Sequence, residues 1–351
     1  MKHTQHRTLP QRIDAALAGF FRQSPVQAWG HKHPRAFNFL KSRLGTKRFT
    51  GLPLSIVSIV LILTIFTLLG VIQDYLATDP LIALDARLAN LLFAVRNVQA
   101  LSVFYGITLF GEVWIVLIAA SILSGVLLYN KQRLLALGVW LALIPGEGVA
   151  FLGKLLFHRE RPSFRAVVED SFSFPSGHAT TVVVFYGFVT YLCLRKVTSW
   201  LARLGITFGF LCLMILVDAS RLYLGVHYLS DVLAGNLIGL ASVLFAVTAI
   251  EWLSERKTAI NWHKVSLVWL LPSFFCLIGI GVVLMIKAPL FSTTGERPQN
   301  KSIASSEILS LFDQQRLPRS TETLLGNAQE PLSFILIGDE TCLVDVFHQA
   351  G

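Results

Sequence analysis

The sequence predicts an all-α integral membrane protein, and three observations carry that expectation. Of the 351 residues, 54% are hydrophobic and only 15% charged, with a mean hydropathy of +0.61. Soluble domains average about a quarter charged residues. Apolar runs near the bilayer-crossing length of about 20 residues recur along the chain. The basic residues sit mainly in the N-terminal fifty and in short connections between the runs, a membrane orientation signal.

Residues 1–50 carry ten Lys or Arg against the single acid Asp14. The stretch is too long and irregular for a cleaved signal peptide. Around Ile13, Leu17, Phe20 and Phe21 it reads either as a short amphipathic surface helix or as a solvated basic tail. The apolar runs then fall at 52–73, 107–129, 134–156, 179–194, 204–220, 229–251 and 265–287. Backbone polar groups in lipid must be satisfied within their own segment, so each run is expected to be a helix.

Between the second and third runs lie Lys131 and Arg133. Arg195, Lys196 and Arg203 follow the fourth run, and Arg256, Lys257 and Lys264 follow the sixth. All fall on the side of the basic N-terminus, which the positive-inside rule makes cytoplasmic. The other side receives 74–106, 157–178, 221–228 and everything after 287. Within 74–106, Asp85, Arg87 and Asn90 alternate with Leu84, Leu88, Leu91 and Leu92, the pattern of a lid or packing helix along the outer interface.

The net charge of +9 does not form the aromatic-interleaved stripe of a nucleic-acid binder, so no nucleic-acid partner is expected. Cys193, Cys212 and Cys276 lie inside apolar runs and read as buried small hydrophobes. No C-x-x-C or H-E-x-x-H spacing suggests a metal, and no cofactor is expected.

Polar residues gather at the outer ends of four runs: Lys154 with Arg161-Pro162, Ser176-Gly177-His178, Ser220-Arg221, and His227 with Asp231. Ionisable residues at membrane depth cost about 3 kcal/mol each on insertion scales, so they tend to serve a purpose. Within the set Lys154, Arg161 and Arg221 are cations, and only Asp231 is an anion. A phosphate would supply the missing counter-charge. Ser176 can donate its hydroxyl and Gly177 its backbone N–H. His227 and Asp231, four apart, share a helix face. The carboxylate can then fix the imidazole's tautomer, leaving the other nitrogen to attack phosphorus. His178 is available to protonate the departing alkoxide.

Lys154-x6-Arg161-Pro162, Pro175-Ser176-Gly177-His178 and Ser220-Arg221-x5-His227-x3-Asp231 resemble the three-part signature of the type 2 phosphatidic acid phosphatase (PAP2) superfamily. The resemblance covers roughly residues 50–255 and implies a six-helix core over 51–255. It implies His227 as nucleophile, Asp231 as its relay, and His178 as general acid. Lys154, Arg161, Ser176, Gly177 and Arg221 would hold phosphate. Lipid phosphates or diphosphates at the extracytoplasmic face of a bacterial inner membrane are the expected substrates. Residues 256–288 add a seventh helix. Residues 289–351 read as a polar linker with a short strand at Leu332–Leu336, and Leu317 to Gly351 resembles part of an LssY-type C-terminal region.

Two alternatives stay open on the residues alone. One is a serine hydrolase using Ser176, His227 and Asp231, although no G-x-S-x-G elbow is present. The other is a protein that binds or carries a phosphorylated lipid without cleaving it. Outside the signature, Arg159 and Arg165 read as interfacial or paired with Glu160, Glu169 and Asp170. Glu147 reads as a partner for a neighbouring helix, and Tyr223 and Tyr228 as interfacial aromatics near a lipid entrance.

Overall fold

A computed structural model describes residues 9–46, 48–77, 80–256, 260, 266–286, 320–324 and 328–331. The basic N-terminal segment is helical rather than a solvated tail: α1 (Leu9–Phe21), α2 (Ser24–Lys32) and α3 (Pro34–Leu44) precede the membrane helices. Two of these helices begin with Pro in the first turn, where a missing N–H is harmless.

The expected membrane helices follow. They are α4 (Leu52–Ala77), α7 (Val113–Tyr129), α8 (Arg133–Phe157), α9 (Gly177–Lys196), α10 (Trp200–Tyr223), α11 (Leu229–Arg256) and α12 (Leu271–Ile286, entered by a 3-10 turn at Leu267–Leu270). Between α4 and α7 lie α5 (Pro80–Ala94) and α6 (Val98–Thr108). Among the described residues, six helical stretches are long and apolar enough to cross a membrane by themselves, and the bent pair Val98–Gly111 and Val113–Tyr129 makes a seventh if it is taken as one span. The chain is an all-helical integral membrane protein, apart from a short antiparallel hairpin, β1 (Ser320–Glu322) and β2 (Ala328–Pro331).

The run at 107–129 is not one straight helix. It bends by 41° at Glu112. A Cβ on Gly111 would lie 2.8 Å from side-chain atoms of Val182 and Val217, so only glycine lets the chain press against α9 and α10 there. Glu112 then leaves the helical region (φ −65°, ψ 122°) and turns its carboxylate toward His178.

The interior is built on α8, α9 and α11. In α9, 67% of the apolar window is buried, against 6% in α10. Lipid gives helices no hydrophobic reason to associate, so close backbone approach and interhelical hydrogen bonds must hold them. Gly235 on α11 supplies such an approach, because a Cβ there would sit 2.5 Å from the carbonyl oxygen of Ser176. Thr180 Oγ1 donates to Gly235 O at 3.1 Å between the same two helices. The outer helices α4, α10 and α12 present Phe66, Phe208 and Phe275 outward, as a lipid-facing surface should.

At the C-terminal end, the hairpin falls within the stretch expected to be a linker. Arg87 on α5 donates to Leu324 O at 3.4 Å, which puts this part of the tail on the face where α5 lies. The strand expected at Leu332–Leu336 and most of the LssY-like region lie outside the described residues, as do 257–259, 261–265 and 287–288 of the seventh segment.

Candidate active site

Ser176 begins α9 as its N-cap, with its side chain accepting from Ala179 N, and its own N–H donates to Asp231 O at 3.0 Å. The starts of α9 and α11 are thereby tied together. Before α9, residues 158–176 lead from the end of α8 past the end of α10 to the start of α11. The turn 224–228 delivers His227. Gly225 within it has φ +65°, a conformation that strains any side chain, and a Cβ would collide with the Arg96 guanidinium.

His227 is buried, and its two ring nitrogens face different groups. On one side, Nδ1 lies 3.5 Å from Asp231 Oδ2 and 3.4 Å from Ser173 Oγ. On the other, Nε2 lies 3.3 Å from Arg161 Nη1. Asp231 Oδ2 also accepts from Tyr228 N at 2.8 Å and from the Ser173 hydroxyl. Burial, followed by the nearby charges of Arg221, Arg161 and Lys154, holds the His227 imidazole well below its ordinary pKa. The ring is therefore neutral at neutral pH, with Nε2 turned toward the cations.

Those cations converge. Lys154 Nζ and Arg161 Nη2 both donate to Ser171 Oγ, each at 3.0 Å. Arg161 Nε donates to Ser171 O and Nη1 to Val226 O, both at 2.7 Å. The carboxylate of Glu169 bridges two guanidiniums, with Oε2 3.0 Å from Arg161 Nη2 and Oε1 against Arg221 Nη2. Arg221 Nη1 donates to Thr108 Oγ1 at 2.9 Å. A Cβ on Gly177 would stand 3.9 Å from Lys154 Nζ, so this backbone lies beside the lysine. Beside Arg221 a cavity of about 280 Å³ is lined by His178, Glu112, Glu169, Thr108 and Tyr105.

Several participants were not singled out from the sequence. The site holds its own counter-charge: Glu169 sits between Arg161 and Arg221, and Glu112 Oε2 lies 3.1 Å from His178 Nε2. Burial raises the Glu169 carboxyl, but Arg221 and Arg161 outweigh it and hold the group well below the carboxylate range. Among the described residues, Arg159 pairs with none of Glu160, Glu169 and Asp170. Its Nη1 meets Asp231 Oδ1 at 2.6 Å and its Nη2 meets Asp85 Oδ2 at 2.8 Å. Asp85, on the packing helix α5, further accepts from Ser230 N at 2.9 Å.

Tyr223 and Tyr228 both have partners within the protein. Tyr223 OH donates to Val95 O at 3.2 Å, and Tyr228 lies under the Arg159 guanidinium at 4.3 Å. Glu147 accepts from Thr181 Oγ1 on α9 at 2.5 Å, the neighbouring-helix role its sequence position suggests. Ser176 is fully buried as a cap, and among the described residues neither histidine is its hydrogen-bond partner, so the serine-hydrolase arrangement is not formed.

The chain is similar to several known proteins. Residues 133–255 match the PAP2 superfamily. Phosphatidylglycerophosphatase B of Bacillus subtilis is 29% identical over 185 residues, which is 50% of this chain and 88% of that protein. Bacitracin transport permease protein BcrC of Bacillus licheniformis is 34% identical over 143 residues, 38% of this chain and 62% of that one. A crystal structure of a transmembrane PAP2-type phosphatidylglycerolphosphate phosphatase from Bacillus subtilis shares 28% identity, covers 58% of this chain and 98% of its own, and gives a TM-score of 0.47. Residues 133–255, which contain the entire histidine, arginine and lysine cluster, form a PAP2 superfamily domain, and the chain that carries it is an integral-membrane phosphatase.

Proposed function

We propose that this protein hydrolyses a lipid phosphate or lipid diphosphate through a phosphohistidine at His227, without a metal ion. The observation that carries this reading is the Glu169 carboxylate, a single anion held by Arg161 and Arg221 while Arg161 also touches His227 Nε2. A phosphoryl group in that position has two guanidiniums on its oxygens, and Lys154 supplies a third cation close by.

In the first step His227 Nε2 attacks phosphorus and the bond from phosphorus to the lipid oxygen breaks. Asp231 and Ser173 hold Nδ1–H and stabilise the charge that develops on the ring. His178 gives its proton to the departing lipid oxygen. In the second step His178 takes a proton from water, whose oxygen attacks phosphorus, and the N–P bond breaks to release phosphate and neutral His227. Lys154, Arg161 and Arg221, with Ser176 and the Gly177 amide, stabilise the equatorial oxygens, the task a metal performs elsewhere.

The substrate class is a bilayer lipid carrying a terminal phosphate: phosphatidylglycerol phosphate, phosphatidic acid or undecaprenyl diphosphate. The name of the Bacillus subtilis relative favours the first. Residues 51–255 would be the catalytic core, with 1–50, the seventh helix over 256–288 and the region 289–351 as additions. The basic connections favour an N-terminus in the cytoplasm and a site on the outer face of a bacterial inner membrane.

The test is trapping. Protein quenched during turnover of ³²P-labelled phosphatidylglycerol phosphate in EDTA should carry acid-labile, base-stable label, and His227→Ala should carry none. Label that survives acid, or turnover that stops on chelation, would overturn the reading.

A further inference from the structure

A second cavity lies at the far end of the helices from His227. There α1 to α3 and the turn after α3 close about 880 Å³ against the ends of α4 and α11. Its charged lining is one-sided: Arg22, Lys41, Arg43, Arg48 and Arg256 stand against the single carboxylate Asp14.

The carboxylates within reach are already committed to backbone amides. Asp14 Oδ1 accepts from Thr46 N at 3.3 Å. Glu255, next to the cavity on α11, accepts from Phe49 N and, at 3.4 Å, from Thr50 N. These bonds fasten the turn to the end of α11. Among the described residues, no ion pair joins any of the five cations to a carboxylate. Arg43 and Arg256 lie instead over the rings of Phe39 and Trp252, at 5.2 and 4.2 Å.

Five cations facing one cavity repel one another and call for an anion of more than one acceptor oxygen. Leu17, Phe21, Leu54 and Trp252 are among the apolar residues of the lining, from α1 as well as from the ends of α4 and α11, so the space offers apolar surface beside its cations. The volume falls within the range of small-molecule sites and exceeds what a bare phosphate fills.

We propose that this cavity is a second, non-catalytic site for a phosphoryl anion of the glycerophosphate type. The group is presented either as the headgroup of an anionic phospholipid or as the soluble headgroup alone. The proposal stands on this cavity and does not depend on the chemistry assigned to His227.

Phosphatidylglycerol is a suitable probe, because its phosphate is a diester and offers no terminal phosphoryl group to the catalytic site. Full-length protein in phosphatidylcholine nanodiscs is titrated with phosphatidylglycerol, and separately with sn-glycero-3-phosphoglycerol. Retention is counted by native mass spectrometry. The comparison is Arg22→Gln/Lys41→Gln/Arg48→Gln, whose three side chains form no ion pair among the described residues and lie outside the catalytic cluster. Each surface cation strengthens the attraction of an anionic headgroup about fivefold, so the triple variant should bind about 100-fold more weakly.

Saturable binding of the lipid alone that is lost in the variant assigns the site to a membrane lipid. Binding of the deacylated headgroup as well assigns it to the soluble anion. Equal binding of either probe by wild type and variant, or no saturable binding by wild type, overturns the proposal. The phosphatase rate and thermal midpoint of the variant, both expected unchanged, show that it is folded; if the triple variant does not fold, Lys41→Gln alone replaces it, with a fewfold loss expected.

Discussion

Arg159 Nη1 lies 2.6 Å from Asp231 Oδ1, so the carboxylate that steadies His227 is itself neutralised by an arginine outside the signature. The other arm of the same guanidinium reaches Asp85 at 2.8 Å, making a buried carboxylate–arginine–carboxylate bridge from α5 to α11. The bridge fixes the interfacial helix to the site. Removing one member of a buried pair leaves the other charge uncompensated and costs about 3–5 kcal/mol. Arg159→Gln should therefore lower the thermal midpoint sharply in detergent. Because Arg159 contacts Asp231 and not the phosphate cluster, the surviving fraction should lose kcat with little change in KM. A variant of unaltered stability would show that the bridge holds nothing.

Glu169 occupies the space between Arg161 and Arg221 that a phosphate oxygen would take. A substrate must displace it, and so must a released phosphate that rebinds. Glu169→Gln removes the competing charge, and charge-assisted hydrogen bonds are worth roughly 1.5–3 kcal/mol. The inhibition constant for orthovanadate should fall about tenfold or more. The wild-type carboxylate is held below the usual range, so its ion pairs persist through mildly acidic pH and are lost only as pH falls through that lowered value. Weaker vanadate inhibition in the variant would mean that Glu169 braces the arginines instead of competing for them.

Glu112 sits at the bend between α6 and α7 with Oε2 3.1 Å from His178 Nε2. It orients the ring and offers a negative charge to the proton that His178 is proposed to deliver. A general acid is worth about 10²–10⁴ in rate, and most when the leaving group is a poor one. Glu112→Gln should slow hydrolysis of an alkyl lipid phosphate by about tenfold or more. A lipid analogue with a nitrophenolate leaving group should be affected far less. Equal losses on both substrates would remove Glu112 and His178 from protonation of the leaving group.

The parts of this architecture set by local pattern were readable in the sequence, and those set by long-range pairing were not. Apolar length marked the membrane helices because the bilayer imposes one dimension on every span. Lys154, Arg161, Ser176, Gly177, His178, Arg221, His227 and Asp231 come together at one helix end because alternating spans return to the same face. The bend at Glu112 escaped although Gly111-Glu112 interrupts the apolar run there, because the flanking residues alone reach spanning length. Asp85 and Arg159 escaped because they pair with each other across 74 positions and Arg159 with Asp231 across 72, and Glu169 because it joins nearby Arg161 to Arg221, 52 positions away. Spacing carries no information about such partners. Their rarity is the one available signal, in a chain with only 15% charged residues.

The proposed attack requires a neutral His227, and burial together with Arg221, Arg161 and Lys154 depresses its pKa well below the ordinary value of about 6.5. In the free protein, activity is therefore lost only as pH falls through that lowered value, and the acid limb of kcat/KM should lie below 6.5. A bound phosphate dianion offsets the same cations and favours the imidazolium, so the acid limb of kcat should sit higher than that of kcat/KM. Arg221→Gln removes the largest of the opposing charges and should move the kcat/KM limb upward, toward the ordinary imidazole value, while lowering its height. Full pH profiles of wild type and variant check both directions. An acid limb at or above 6.5 that the substitution leaves in place would mean that the titrating group is not an imidazole surrounded by these cations.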